Sequence, residues 1–78
     1  MRILLVEDYD MIGESVMAGL ETEGHAIDWV RDGNSALLAL NTTPYSLVIL
    51  DLGLPGKDGL QVLKEMRGRR DPTPVLVT

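Results

Sequence analysis

The sequence contains no cysteine, which excludes a disulfide scaffold, a thiolate metal site and a redox dithiol. Its single histidine, His25, cannot by itself build a histidine-based metal cluster. No apolar run approaches the ~20 residues of a membrane span, and the start turns acidic too early for a signal peptide. Seven basic residues stand against twelve acidic ones, and the net charge of −5 argues against binding nucleic acid through its phosphates. We therefore expect a cytoplasmic protein without a membrane segment.

The 78 residues contain a regular alternation of apolar runs and amphipathic segments. Two runs, Ile3–Val6 and Leu47–Leu50, are apolar throughout, which is typical of strands buried on both faces of a parallel sheet. Ala26–Val30 is mixed in polarity and is expected to be a strand at a sheet edge. A fourth strand is expected at Val75–Val77.

The three segments between these runs repeat apolar residues every three or four positions, which predicts amphipathic helices. The expected N-caps of the first two helices are Asp8 or Asp10, and Asn34 or Ser35. Gly24 is expected to stop the first helix. The inward-facing residues expected in the third helix are Leu60, Leu63 and Met66.

The resulting order, βαβαβαβ, predicts an α/β domain with a parallel sheet, helices on both faces and right-handed crossovers. Single domains usually run to about 100–150 residues, so residues 1–78 are expected to be one small domain or part of one. The fourth strand would be an uncovered sheet edge at the end of the chain. We therefore expect that the chain is cut from a longer domain.

Acidic residues follow two of the core strands directly. Glu7 and Asp8 come after the first strand, and Asp51 comes after the third. In open parallel sheets, ligands bind outside the carboxyl ends of the strands, so three acids there would converge if the strands are neighbours. Three carboxylates repel one another unless a hard cation offsets their charge, and oxygen ligands suit Mg²⁺. A single acid at a strand end would more often be a solvated loop residue or a helix cap.

The loop after Asp51 is rich in glycine and proline, over the residues Leu52–Gly56. Such a flexible backbone can turn a carbonyl or an N–H group toward a metal ion or a phosphate, although ordinary βα loops share this composition. Thr78 offers a hydroxyl on the same rim of the sheet, where it could equally be a simple strand former. Trp29 and Tyr45 are expected to be packing or half-exposed residues.

Four stretches resemble a known family. Ile3–Asp8, Val48–Pro55, Asp58–Gly59 and Pro74–Thr78 are similar to the receiver domain of bacterial two-component response regulators, and the similarity covers the whole chain in order and spacing. The sequences of these stretches are most similar to those of the winged-helix transcription factors, the relatives of the osmoregulatory and polymyxin-resistance regulators. The resemblance implies a flavodoxin-like fold with the parallel sheet order 2-1-3-4, continued by a fifth strand in the complete domain.

The resemblance also implies a role for each candidate site residue. Asp51 matches the phosphoacceptor, whose carboxylate attacks the phosphoryl group of a kinase phosphohistidine. Asp8 and Asp51 match direct Mg²⁺ ligands, and Glu7 matches an acid that acts through water. Gly53 would give its backbone carbonyl to the metal. Thr78 matches the switch hydroxyl that bonds a phosphoryl oxygen.

The implied biology is phosphorelay signalling. The expected partners are a sensor histidine kinase and, through a C-terminal domain absent from this sequence, DNA. The last α-β-α portion of the family's domain is also absent, including a lysine that pairs the phosphoryl group. Tyr9 stands where many relatives have another acid. The domain is expected to be a phosphoacceptor rather than a turnover enzyme, and a homodimer is expected through the exposed fourth strand or by exchange of elements.

Three rival interpretations stay open at this point. A haloacid dehalogenase-type phosphatase also uses a strand-end Asp with Mg²⁺, but it needs a second acid two residues later, where this sequence has Gly53. The same glycine argues against a toprim nuclease site, which pairs a strand-end Glu with Asp-x-Asp. The third alternative is an interaction module that uses the fold without phosphorylation.

Overall fold

The computed structural model describes residues 1–54 and 56–78; Pro55, which falls in the predicted loop, lies outside the described residues. In this part of the chain, strands and helices alternate as predicted. The elements are β1 (Arg2–Val6), α1 (Asp10–Thr22), β2 (Ala26–Val30), α2 (Gly33–Thr42), β3 (Leu47–Leu50), α3 (Gly59–Gly68) and β4 (Val75–Val77). Among the described residues, no helix combines the length and the apolar character that crossing a membrane requires.

The strands form one parallel sheet in the order β2-β1-β3-β4, which confirms the predicted order and places β2 at an edge. The register sets Val6 of β1 beside both Val30 of β2 and Leu50 of β3. Leu50 is in turn the partner of Val77 in β4. The carboxyl ends of all four strands therefore lie along the same rim of the sheet.

Helices cover both faces of the sheet, as predicted. Side chains alternate along each strand, so β1 and β3 contribute apolar residues to two separate cores. The core under α2 and α3 contains Leu4, Val6, Ala36, Val48, Leu50, Leu54, Val62 and Met66. The core under α1 contains Ile3, Leu5 and Ile49, with Val16, Leu20, Ile27, Trp29 and Leu47 packed around them.

The start of α1 differs from the prediction. Its N-cap is Tyr9, whose side chain makes no capping hydrogen bond, and neither Asp8 nor Asp10 caps the helix. Asp8 instead turns its carboxylate toward neighbouring acids, and Asp10 already lies in the first helical turn. The end of α1 is as predicted, since Gly24 has a φ of 85° and its N–H donates to the carbonyl of Glu21.

The start of α2 also differs from the prediction. The N-cap is Asp32 rather than Asn34 or Ser35, because the helix begins at Gly33. The Asp32 carboxylate accepts a 2.8 Å hydrogen bond from the backbone N–H of Ser35. Ser35 is thus a donor to the cap and not the cap itself.

The prediction of which residues form the buried face of α3 is partly wrong. Met66 is fully buried and Leu63 packs at the edge of the core, but Leu60 is 49% exposed. Val62 is buried in its place. At 3.6 residues per turn, Gly59, Val62 and Met66 share one face of the helix, and Leu60 falls outside it.

The apolar edge expected at β4 is present. Among the described residues, β4 pairs only with β3, on one side. Leu76 and Val77 remain 54% and 45% exposed, although both are apolar. The outer side of β4 therefore presents apolar side chains together with unpaired backbone groups.

Candidate functional site

Three carboxylates meet at the rim formed by the carboxyl ends of the strands. Val6 and Leu50 are partners in register, so the residues that follow them, Glu7 and Asp51, come side by side. One carboxylate oxygen from each of Glu7, Asp8 and Asp51 lies within 4.8 Å of the others. The structure therefore contains the convergence of acids that the sequence predicted, with Asp8 and Asp51 lying 43 residues apart in the chain.

Glu7 is the buried member of this acid cluster. It is only 5% exposed, and its Oε2 accepts a 3.1 Å hydrogen bond from the backbone N–H of Tyr9. Burial raises the pKa of the Glu7 carboxyl above its ordinary value, and the neighbouring Asp51 and Asp8 carboxylates raise it further. The hydrogen bond from Tyr9 opposes this rise in pKa. The Glu7 carboxylate is thus bonded to the backbone of its own loop. A nearby positive charge would favour its ionised form.

Asp51 is held at both its side chain and its backbone. Its Oδ1 accepts a 2.9 Å hydrogen bond from the N–H of Gly53, and its own N–H donates to the carbonyl of Val6. Gly59, the first residue of α3, packs directly on the backbone of Asp51 and Leu52, where a Cβ atom would overlap. The close approach of α3 therefore fixes where the chain turns after Asp51.

The acid cluster fits a small hard cation. An octahedral Mg²⁺ with ligands at about 2.1 Å places neighbouring ligand oxygens about 3 Å apart and opposite ones about 4.2 Å apart. Carboxylate oxygens that already lie within 4.8 Å of one another need only a small adjustment, or a bridging water, to meet this requirement. All the donors are oxygens, which Mg²⁺ prefers, and the crowded negative charge would be offset by a cation.

Two further predicted site residues lie on the same rim. Thr78 follows β4 and donates its N–H to the carbonyl of Leu50 at 2.9 Å, so it stands beside Asp51 in the continuing register. The Thr78 hydroxyl lies 3.5 Å from the same carbonyl oxygen. Gly53 directs its N–H at Asp51, while the predicted role of its carbonyl toward a metal stays a prediction. Tyr9, which follows Glu7 and Asp8 in the sequence, is 54% exposed to solvent.

Two residues contribute to the site without having been predicted to do so. Leu54 is only 6% exposed and anchors the loop after Asp51 in the core under α2 and α3. Trp29, expected only to pack, donates its indole N–H to the carbonyl of Glu7 at 2.9 Å. An apolar residue inside a glycine-rich loop could have indicated the first contact, but no sequence pattern indicates the second.

In open parallel α/β sheets, ligands bind at the carboxyl ends of the strands where the strand order reverses, and the acid cluster lies there, between β1 and β3. The chain belongs to the response regulator receiver domain family, whose model matches residues 3–78. The predicted family is thereby confirmed, and this membership decides against the haloacid dehalogenase and toprim interpretations.

The curated relatives include a transcriptional regulatory protein and a response regulator, in agreement with the predicted subfamily. The chain is 47% identical to the transcriptional regulatory protein QseB of Haemophilus influenzae, and 46% identical to the response regulator protein PmrA of Pseudomonas aeruginosa. Each match covers 99% of this chain and 35% of the relative. The chain therefore spans about a third of the length of these curated relatives.

Solved structures of receiver domains superimpose closely on this fold. The Francisella response regulator 1452 receiver domain gives a TM-score of 0.94 at 29% identity, over 97% of this chain and 63% of that one. The response regulator TrrA of Thermotoga maritima, in complex with Mg²⁺ and BeF, gives 0.86 at 37% identity, over 97% and 64%. TrrA in complex with the histidine kinase ThkA gives 0.89 at 37% identity, over 97% and 66%.

Proposed function

We propose that this chain accepts a phosphoryl group on Asp51 from the phosphohistidine of a sensor histidine kinase. The observation that carries the proposal is the convergence of the Glu7, Asp8 and Asp51 carboxylates within 4.8 Å at the rim of the sheet. Two neighbouring structures support it, because one contains Mg²⁺ with BeF and the other a histidine kinase.

The proposed reaction is a single displacement at phosphorus. A carboxylate oxygen of Asp51 attacks, the P–N bond of the phosphohistidine breaks, and an aspartyl phosphate forms. The imidazole leaves with the bonding electron pair and takes a proton. Such transfers depend on positioning and electrostatics more than on new covalent chemistry, which fits a side chain held by the N–H of Gly53.

Asp8 and Asp51 would hold the metal directly, and the carbonyl of Gly53 would add a ligand. Glu7 would act through water, since its Oε2 is already bonded to the N–H of Tyr9. When bound, Mg²⁺ supplies positive charge that offsets the charges of the carboxylate and the phosphoryl group. The Thr78 hydroxyl, whose only partner among the described residues is a 3.5 Å contact, is free to turn to a phosphoryl oxygen.

The proposal extends to the setting in which the chain acts. We expect a cytoplasmic phosphoacceptor, not a turnover enzyme, that controls a DNA-binding transcription regulator. The relative QseB is a transcriptional regulatory protein, which supports this expectation. The chain is also proposed to form a homodimer through the outer edge of β4, because Leu76 and Val77 are exposed there. Pairing of two such edges would satisfy backbone groups and bury apolar surface.

Transfer of a radiolabelled phosphoryl group from the autophosphorylated sensor kinase tests the proposal. Asp51→Asn keeps the shape of the side chain and removes the nucleophile, so labelling should be lost. Asp58→Asn is the matched control, because Asp58 lies in the same loop and Asn caps a helix as well as Asp does. Equal labelling of the Asp51→Asn variant and the wild-type protein would refute the assignment.

A further inference from the structure

The carbonyl of Glu7 lies just beyond the last hydrogen bond between β1 and β2, next to the acid cluster. The N–H of Glu7 still pairs with the carbonyl of Val30 at 3.1 Å, as the last rung between β1 and β2. The carbonyl of Glu7 belongs to the peptide that joins Glu7 to Asp8, the two acids of the first strand end. The orientation of this peptide plane sets the backbone torsions next to it, at the two residues that carry these carboxylates.

The side chain of Trp29 supplies a hydrogen bond to this carbonyl. Trp29 is the partner of Leu5 in the register of β1 and β2, and its indole Nε1 donates to the carbonyl of Glu7 at 2.9 Å. A partly buried carbonyl without a donor is costly, so the indole N–H holds the peptide plane in this orientation. Trp29 is also the single tryptophan of the chain.

The indole is itself held from two sides. Gly13 of α1 lies so close to the ring that a methyl group in its place would overlap it. The guanidinium of Arg31 lies 4.0 Å from the ring centroid, which is a cation–π geometry. Arg31 also forms an ion pair with Asp10 in the first turn of α1. The helix α1 and the Arg31 side chain together restrict the position of the indole.

We propose that Trp29 is a positioning residue for the metal site, acting through the backbone between Glu7 and Asp8. The inference rests on the proposed Mg²⁺ site and deepens it. Groups that orient metal ligands without touching the metal commonly change its affinity by about 10- to 100-fold when they are lost. The indole of Trp29 is such a group, because it bonds the peptide that joins Glu7, proposed to act through water, to the proposed direct ligand Asp8.

A Mg²⁺ titration of the isotopically labelled protein, followed by the amide resonances of Asp8 and Gly53, tests this role. Trp29→Phe keeps an aromatic ring against Gly13 but removes the N–H, so Mg²⁺ affinity should fall about tenfold. Ile27→Val is the matched control, because Ile27 packs in the same core from the same strand and is not a member of the acid cluster. Its affinity should equal that of the wild-type protein.

Two further readouts separate positioning from simple packing. The indole N–H resonance of Trp29 should shift in the wild-type titration with the same midpoint as the amide of Asp8. Arg31→Met releases the ring from one side and keeps the hydrogen-bond donor, so it should weaken Mg²⁺ binding less than Trp29→Phe. Arg31→Met also supplies the test if Trp29→Phe does not fold.

The positioning role of Trp29 and the proposed metal site can each be refuted. Unchanged Mg²⁺ affinity in a folded Trp29→Phe protein, or in Arg31→Met where only that variant folds, overturns the positioning role. An equal loss in Ile27→Val also overturns it, since general loosening would then explain the effect. A wild-type protein that shows no response to Mg²⁺ overturns the proposed metal site itself, and the role of Trp29 with it.

Discussion

The hydroxyl of Tyr45 donates a 2.7 Å hydrogen bond to Oδ2 of Asp28, joining the segment before β3 to the edge strand β2. The same oxygen accepts a 3.0 Å bond from Arg2. The hydrogen bond from Tyr45 is the main cause that lowers the pKa of Asp28; Arg2 adds to it and partial burial opposes it. Burial, with the Asp28 carboxylate, raises the pKa of Tyr45 to about 12.

The Tyr45–Asp28 pair predicts a defined pH dependence of stability. Since the pKa of Tyr45 is raised from 10.0 to about 12, its contribution is complete below pH 10 and is lost as the pH rises toward 12. The pKa of Asp28 is lowered, so its contribution is present above its ordinary value of 3.8 and is lost as the pH falls further. Tyr45→Phe should lower the free energy of unfolding by about 1 kcal/mol at neutral pH, measured with urea.

The ionisation of Tyr45 can be observed directly. Tyr9→Phe leaves Tyr45 as the single tyrosine, because the chain has two. Absorbance of the phenolate should then give a midpoint at a pH of about 12. A midpoint at the ordinary tyrosine value would show that Tyr45 lacks this buried, hydrogen-bonded environment in solution.

Gly59 predicts a steric effect at Asp51, the proposed phosphoacceptor. Gly59→Ala puts a methyl group against the backbone of Asp51, so it should lower the free energy of unfolding by about 1–3 kcal/mol. Gly68→Ala, at the other end of α3, is the control, because no atom lies within 4 Å of its added Cβ. Urea unfolding measures both variants. A Gly59→Ala protein as stable as Gly68→Ala would contradict the close packing of α3 on Asp51.

The two acids after β1 should differ in their effect on metal binding. Asp8→Ala removes a proposed direct ligand, so Mg²⁺ affinity should fall markedly. Glu7→Gln should reduce it less, because the Glu7 side chain is bonded to Tyr9 and is proposed to act through water. Calorimetric or spectroscopic titration with Mg²⁺ measures both effects. The reverse order would mean that the two roles are exchanged.

The exposed edge of β4 predicts self-association of the chain. Its apparent mass in light scattering should rise from monomer to dimer as concentration increases. Leu76→Lys puts a charge on the edge and should shift this equilibrium toward the monomer. Lys64→Arg serves as a charge-preserving control on an exposed helix surface. A compact monomer with cooperative unfolding at every concentration would refute dimerisation through this edge.

Much of the fold follows from short patterns in the sequence. The apolar runs Ile3–Val6 and Leu47–Leu50 predicted buried parallel strands, and the structure pairs them in the centre of the sheet. The acids that follow them then converge because parallel strands end on one rim. Local backbone signals were also reliable where one residue type dominates, as with Gly24 at the end of α1.

The remaining errors arise where tertiary contacts decide between similar residues. Asp32 caps α2 instead of Asn34 or Ser35, because all three can accept from an N–H and only the helix start selects one. Leu60 and Val62 are both apolar, and the orientation of α3 buries Val62. The contact of Trp29 with Glu7 joins positions 22 residues apart and has no pattern in the sequence.

The measurement that tests the central claim most directly is the location of the phosphoryl group after incubation with acetyl phosphate and Mg²⁺. Tandem mass spectrometry of the digested protein should find one phosphoryl group per chain, on Asp51, and none when the metal is removed with a chelator. A phosphoryl group on another residue, labelling that persists without the metal, or no labelling at all would contradict the account.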